Sequence, residues 1–300
     1  MNISLPVPVL RALNANSILF IVGPTGVGKS ALAFEAALNC GGEIVSCDAM
    51  QVYREVNIAS DKPSAEMRSL VPHHLLDVVS VKSDFNAAKY RALAVAAIED
   101  VLKRGRKVIV CGGSGMYMMA ILDGLFESEA IRSGIREALT TRAEVEGLAA
   151  LHAYLRSVDV QSAEKINPHD ARRIIRALEV FESTGKPISV LHTERDGLWG
   201  KYPIQIIGFT RQREELYARV EARIAAMFKA GLIEEVRALG VRPLSGTASG
   251  LIGIREVRGF INGEYGRDRA EELMKLNTRH YVKRQLTWFR RDKRIEWVEL

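Results

Sequence analysis

The 300-residue chain is 47% hydrophobic and 26% charged with a formal net charge of +6, which excludes disordered, fibrous and membrane-embedded classes and allows a large core with a subordinate domain. Cys40, Cys47 and Cys111 are widely spaced and form no C-x-x-C pair, so neither a disulfide framework nor a zinc site is indicated and a reducing cytoplasm fits. Met1 to Leu13 has no charged start leading into a long apolar run, and no later stretch approaches membrane-spanning length; the expectation is a cytoplasmic protein with no membrane partner.

The first element is the apolar run Ile18-Leu19-Phe20-Ile21-Val22, which ends in Gly23-Pro24-Thr25-Gly26-Val27-Gly28-Lys29-Ser30 and passes into the helix-like Ala31-Leu32-Ala33-Phe34-Glu35-Ala36. Strand, G-x-x-x-x-G-K-S and helix in that order form a phosphate-binding loop. Its glycines turn backbone N–H groups onto phosphate oxygens, the helix presents its positive end, Lys29 adds a point charge, and the Ser30 hydroxyl can ligate Mg²⁺. A plain strand-to-helix turn needs neither the lysine nor the hydroxyl.

Next, Glu43-Ile44-Val45-Ser46 reads as a short buried strand that places Asp48 at its carboxyl end, the edge where open α/β sheets bind ligands. The residue pattern leaves Asp48 open as a crevice-facing acid, a helix cap or a magnesium ligand. In the polar loop before Pro63, Lys62 is a candidate phosphate or RNA contact. The apolar end of Pro72-His73-His74-Leu75-Leu76-Asp77-Val78-Val79 is a further strand, with its histidines as packing or capping groups. Helical spacing of Ala87, Tyr90, Ala94, Ile98, Val101 and Leu102 predicts a helix from Phe85 to Lys103. Lys107-Val108-Ile109-Val110-Cys111 is then a second clear strand of parallel type. It runs into Gly112-Gly113-Ser114-Gly115, a second close backbone approach at the same sheet edge, and carries no terminal acid of the kind that holds Mg²⁺ in many hydrolases.

Residues 123–200 change to helices with scattered charge, and Asn167 and Pro168 mark a helix start before Arg172, Arg173 and Arg176. Strand character returns from Tyr202 to Phe209. A long helix then turns Leu216, Val220, Ile224 and Met227 inward and stacks Arg219 and Arg223 one turn apart, a pair suited to clamping a diphosphate. A final long helix from about Arg267 interleaves Lys283 and Arg284 with aromatics, a pattern suited to single-stranded RNA, although Trp288 and Phe289 fit core packing better. The architecture expected is α/β: an open parallel sheet of P-loop NTPase-like type over 15–122, a mainly helical insertion over 123–200, and core completion with C-terminal helices over 201–300.

Five separated motifs, in this order, resemble the tRNA dimethylallyltransferase (tRNA isopentenyltransferase) family. They are Gly23 to Ser30, Ser46-Cys47-Asp48-Ala49-Met50-Gln51-Val52-Tyr53, Gly112 to Tyr117, Asn167 to Glu179, and Lys283-Arg284-Gln285-Leu286-Thr287-Trp288-Phe289-Arg290. The resemblance implies transfer of a dimethylallyl group from dimethylallyl diphosphate to N6 of the adenosine immediately 3′ of the anticodon, with release of diphosphate. It gives Asp48 the role of base and places Thr25 beside the reacting centre. Gly23, Pro24, Thr25, Gly26, Val27, Gly28, Lys29 and Ser30 then hold the diphosphate, with Mg²⁺ at Ser30 and Arg219 or Arg223 assisting. Contacts to the tRNA anticodon arm fall on Asp48, Ala49, Met50, Gln51, Ser114, Arg172, Arg173, Ile174, Ile175, Arg176, Gly250, Arg255, Lys283 and Arg284, on a monomer.

The chain departs from the family's usual pattern in four places. Ser114 stands for threonine, Ile254 for tyrosine, and Ser60-Asp61-Lys62-Pro63 for Thr-Ala-Lys-Pro, while a proline-rich run is missing near Glu127. Two other readings are an adenylate isopentenyltransferase acting on free AMP, ADP or ATP, and a P-loop small-molecule kinase. The basic helical insertion and the Lys283 segment favour tRNA over either.

Overall fold

The computed structural model describes residues 4–15, 17–126, 134–193, 195–240 and 243–300; Glu127 lies outside them. Two compact units emerge, one formed by Met1–Leu122 with Leu198–Leu300 and the other by Asp123–Gly197.

The first unit is built on six strands: β1 (Ile18–Val22), β2 (Glu43–Ser46), β3 (His73–His74), β4 (Val108–Gly112), β5 (Ile204–Thr210) and β6 (Ile295–Glu299). They lie in the order β3-β2-β4-β1-β5-β6 and every pairing is parallel. Every residue of β1, β2 and β4 is buried, which is why β1 and β4 read as near-continuous apolar runs without alternation; the buried ends of β2, Glu43 and Ser46, are polar and hydrogen-bonded. The register sets Val22 beside Gly112 and Ser46 beside Cys111. The loops after β1, β2 and β4 therefore leave the sheet side by side at its carboxyl edge.

Two strand expectations change. In the Pro72–Val79 segment the sheet takes His73–His74 rather than the apolar end, because Leu75 and Asp77 adopt left-handed backbone (φ 64° and 57°) that stops an extended strand; Val79 makes only an isolated bridge to Tyr53. Edge strand β6 was not anticipated: two glutamates in five residues obscure its apolar signal.

The expected helices form at Ala87–Lys103, Arg213–Lys229 and Arg267–Phe289. The first is capped by the Asn86 side chain, which accepts from the Lys89 N–H at 2.9 Å. The second buries Leu216, Val220, Ile224 and Met227, as their spacing predicts. The third buries Met274, Thr278, Val282, Gln285 and Phe289 along one stripe. No helix among the described residues is long and apolar enough to cross a membrane.

The second unit is helical throughout its described residues, with helices at Ile135–Glu146, Leu148–Val158, Val160–Lys165, Ala171–Thr184 and Ile188–Leu191 around a core that includes Leu139, Leu151, Leu155, Ile174 and Leu178. The arginine-bearing helix starts later than expected. Asp170 caps it by accepting from the Arg173 N–H at 3.1 Å, while Asn167 closes a turn one step earlier through the His169 N–H.

Candidate active site

One cavity of about 490 Å³ opens at the carboxyl edge of the sheet, lined by Thr25, Gly26, Gly28, Lys29, Ser30, Ser46, Asp48, Gln51, Ser60, Asp61, Gly112, Gly113, Arg219 and Arg223 among others. It joins the loop after β1, the acid after β2, the glycine turn after β4 and the paired arginines of the Arg213–Lys229 helix.

The phosphate loop is held through three of its carbonyls. The Lys29 ammonium donates to Pro24 O at 2.7 Å, Arg219 Nε to Gly26 O at 2.9 Å, and Arg211 Nε to Val27 O at 3.1 Å. With three carbonyls tied to cations, and Gly26 and Gly28 at φ 82° and 109°, the amides at the start of the Lys29–Cys40 helix are the polar groups left for an anion. Arg211 was not singled out in the sequence; its signal is a cation immediately after a strand of the same edge.

Thr25 departs from this pattern. Its N–H donates to Gln285 Oε1 at 2.9 Å, and Gln285 Nε2 donates to Gly113 O at 2.9 Å. One buried side chain from the last helix therefore joins the phosphate loop to the second glycine turn. A Cβ at Gly112 would overlap the Cys47 backbone carbonyl, so that position needs glycine, and one at Gly113 would push the Gln285 amide away from the Gly113 carbonyl it bonds. The readable signal for Gln285 is an amide on a mostly apolar helix stripe.

Asp48 lines the cavity and caps a turn in place of a helix. Oδ1 accepts from the Met50 N–H at 2.8 Å and the Gln51 N–H at 3.4 Å, capping the turn that follows; no described residue bonds Oδ2. Burial raises its pKa above the ordinary aspartate range, against the lowering pull of the Met50 amide, Lys29 and Arg223. Burial likewise lowers Lys29 to about 8, partly offset by Cys111 and Asp48. The neighbouring thiols of Cys47 and Cys111 are pushed up to about 12 by burial and remain inert as nucleophiles.

Arg219 and Arg223 both line the cavity but are anchored differently, Arg219 on the phosphate loop and Arg223 through Nη1 to Asp61 Oδ2 at 3.0 Å. Ser30 lines the cavity, and no group of three or more His, Cys, Asp or Glu able to hold a metal occurs among the described residues. The Ser30 hydroxyl is a hard oxygen donor of the kind Mg²⁺ takes together with phosphate and water oxygens.

The residues expected at an RNA surface divide by exposure. Arg172, Arg173, Gly250, Arg255, Lys283 and Arg284 are exposed, Ala49, Met50 and Ser114 are half-buried, and the Ser114 N–H bonds Cys47 O at 3.1 Å beside Asp48. Ile174 and Ile175 are instead core residues of the second unit; they lie on the inward face of their helix, so their side chains have no access to RNA. Arg176 donates to Glu179 Oε2 at 2.8 Å, sharing that carboxylate with Arg136. Gln51 is occupied by Ser46 Oγ, Ser60 O and Asp61 O.

Lys62 is not a phosphate or RNA contact: its side chain is 2% exposed and its ammonium donates to Tyr53 O, Asn57 Oδ1 and Asp77 Oδ1. Ile254 is buried at the start of the Ile254–Ile261 helix. Phe289 is fully buried and Trp288 packs on the core, as expected from their pattern.

Residues 51–292 match the family model described as IPP transferase. A tRNA dimethylallyltransferase of Geobacter metallireducens is 46% identical over 284 residues, 94% of this chain and 92% of the relative; one of Geobacter sulfurreducens is 42% identical over 292 residues, 96% and 94%. Among solved structures, the full-length tRNA isopentenylpyrophosphate transferase of Bacillus halodurans aligns with a TM-score of 0.67 at 34% identity, covering 95% of this chain and 90% of that one. A eukaryotic dimethylallyltransferase acting on tRNA aligns with a TM-score of 0.82 at 25% identity, covering 95% and 74%.

Proposed function

The chain belongs to the IPP transferase family and is a tRNA-modifying prenyltransferase, and we propose that its cavity carries a dimethylallyl group from dimethylallyl diphosphate to N6 of the adenosine 3′ of the anticodon. The observation that carries this reading is the placement of a phosphate loop and a base-like carboxylate, Asp48, on the walls of one cavity.

In the proposed reaction the adenine N6 lone pair attacks the allylic C1, the C1–O bond breaks, and diphosphate departs with the bonding electrons. The N6 proton passes to Asp48 Oδ2. An adenine amine is a weak nucleophile because its lone pair is delocalised into the ring, so a carboxylate on its N–H both orients it and removes the proton as bonding develops. The raised pKa of Asp48 makes it a stronger base once ionised. Lys29, the amides at the head of the Lys29–Cys40 helix, Arg219 and Arg223 hold the leaving charge. Thr25, with its amide fixed by Gln285, presents its side chain beside the reacting carbon. Mg²⁺, when bound at Ser30, would further neutralise the phosphates.

Reaching N6 requires extruding the base, a cost of a few kcal/mol that RNA contacts offset. We assign those contacts to Ala49, Met50, Ser114, Gly250, Arg255, Lys283 and Arg284 in the first unit and to Arg172 and Arg173 in the second. The protein acts as a cytoplasmic monomer. Incubation with labelled dimethylallyl diphosphate and either unmodified tRNA or AMP tests the proposal: label is expected in tRNA at the adenosine after the anticodon. Label in AMP, or consumption of ATP without alkylation, would overturn it.

A further inference from the structure

Loop 57–63 forms one wall of the cavity through Ser60, Asp61 and Pro63, and it is braced along its length. The Glu235 carboxylate accepts from the Asn57, Ile58 and Ala59 N–H groups at 2.7, 2.8 and 2.9 Å. The buried Lys62 ammonium ties the far end to Tyr53 O and Asp77, and Gln51 Nε2 donates to Asp61 O at 3.1 Å. Between these braces Asp61 adopts φ 53°, a left-handed conformation that aspartate tolerates better than most residues.

So held, Asp61 places Oδ2 at 3.0 Å from Arg223 Nη1, with side-chain exposures of 53% and 25%. Arg223 Nε is buried with no hydrogen-bond partner among the described residues. The cavity wall thus carries three cations, Lys29, Arg219 and Arg223, and two carboxylates, Asp48 and Asp61. Asp48 has a role in the chemistry; Asp61 has none there, yet its charge reaches Lys29 as well as Arg223.

We infer that Asp61 sets the affinity of this cavity for diphosphate, acting as a resident anion that engages Arg223 and repels incoming phosphate oxygens. The inference rests on the proposed use of the cavity for a diphosphate. Diphosphate is part of the donor and is also the product. A carboxylate that weakens its hold lowers donor affinity and, in return, speeds departure of the leaving group after transfer.

The test is calorimetric titration of inorganic diphosphate into the full chain at pH 7, where the Lys29 ammonium is charged. Asp61→Asn is the variant of choice because asparagine also accepts left-handed backbone. It is expected to bind diphosphate about three- to fivefold more tightly, the scale of a partly exposed ion pair, and to lower KM for dimethylallyl diphosphate without raising kcat. In an Arg223→Ala background the same substitution should give a smaller gain, since the shared guanidinium is gone. Unchanged or weaker binding by Asp61→Asn, with wild-type binding intact and abolished by Lys29→Met, would overturn the inference and leave the site reading standing. Failure of the wild type to bind diphosphate, or indifference to Lys29→Met, would overturn both.

Discussion

Gln285 holds Thr25 by the backbone: its Oε1 takes the Thr25 N–H at 2.9 Å while its Nε2 reaches Gly113 O. The side chain is 5% exposed, so removing it leaves a donor and an acceptor without partners in a largely dry setting, at roughly 1–3 kcal/mol each. Gln285→Ala is expected to lower the melting temperature and to reduce kcat by about tenfold, equivalent to about 1.4 kcal/mol, while KM for tRNA stays near wild type. Gln285→Glu keeps the acceptor for Thr25 but sets a carboxylate oxygen against Gly113 O, and should be no better than alanine. Steady-state kinetics alongside thermal melts check this. A stability loss with unchanged kcat would make Gln285 a packing residue only.

The opposed shifts of Asp48 and Lys29 give the pH profile its limbs. Burial raises Asp48, so the base form is lost as pH falls through a value above the ordinary aspartate range. Lys29, lowered to about 8, loses its positive charge as pH rises through that value in the free enzyme. The profile of kcat/KM, which reports free-enzyme groups, should be bell-shaped with its alkaline limb near pH 8. In kcat that limb should move upward, because a bound diphosphate stabilises the ammonium. Lys29→Arg should remove it, since guanidinium does not titrate in this range. An alkaline limb unchanged in Lys29→Arg would assign it elsewhere.

The sheet was legible because its central strands obey a simple rule. Buried on both faces, β1 and β4 are apolar runs and β2 has an apolar centre in Ile44-Val45, and Gly23, Asp48 and Gly113 follow at their ends. Edge strand β6 escapes the rule because one side faces water. The active-site loop was legible for its spacing, but the partners that hold it were not: Gln285 is 260 residues from Thr25 and Arg211 is 184 from Val27. Lys62 was misread for a related reason. Its partner Asp77 lies at a left-handed turn whose φ no local pattern announces. Ile174 and Ile175 show that a family resemblance carries positions, whereas the helix face decides which side chains reach solvent.

Glu43 offers a test of the fold away from the chemistry. Its carboxylate, with a side chain 3% exposed, is bonded by Arg104 through both terminal nitrogens and by His74 Nε2 at 2.7 Å. The Arg104 hydrogen bonds, assisted by His74 and opposed by burial, pull its pKa to about 2 from an ordinary 4.5. A depressed folded-state pKa means the stabilisation is fully present above pH 4.5 and is lost as pH falls toward 2. Glu43→Gln is therefore expected to cost about 2 kcal/mol in urea unfolding at pH 7, and the gap to wild type should close across that acid window. A pH-independent gap would point to lost packing instead of lost charge.

Arg172 and Arg176 lie four residues apart on one helix yet should behave differently toward RNA. Arg172 is exposed, with no hydrogen-bond or ion-pair partner among the described residues, whereas Arg176 is joined to the buried Glu179, which Arg136 also bonds through two nitrogens at 2.9 Å. Each phosphate contact releases counterions and steepens the fall of affinity with salt. Arg172→Ala should therefore reduce the slope of log affinity against log salt by about one, with an unchanged melting temperature. Arg176→Ala should lower the melting temperature first, since it removes one of the two arginines neutralising Glu179. Filter-binding titrations of tRNA over a range of salt, paired with thermal melts, separate the two. Equal slopes for Arg172→Ala and wild type would take this helix face off the RNA.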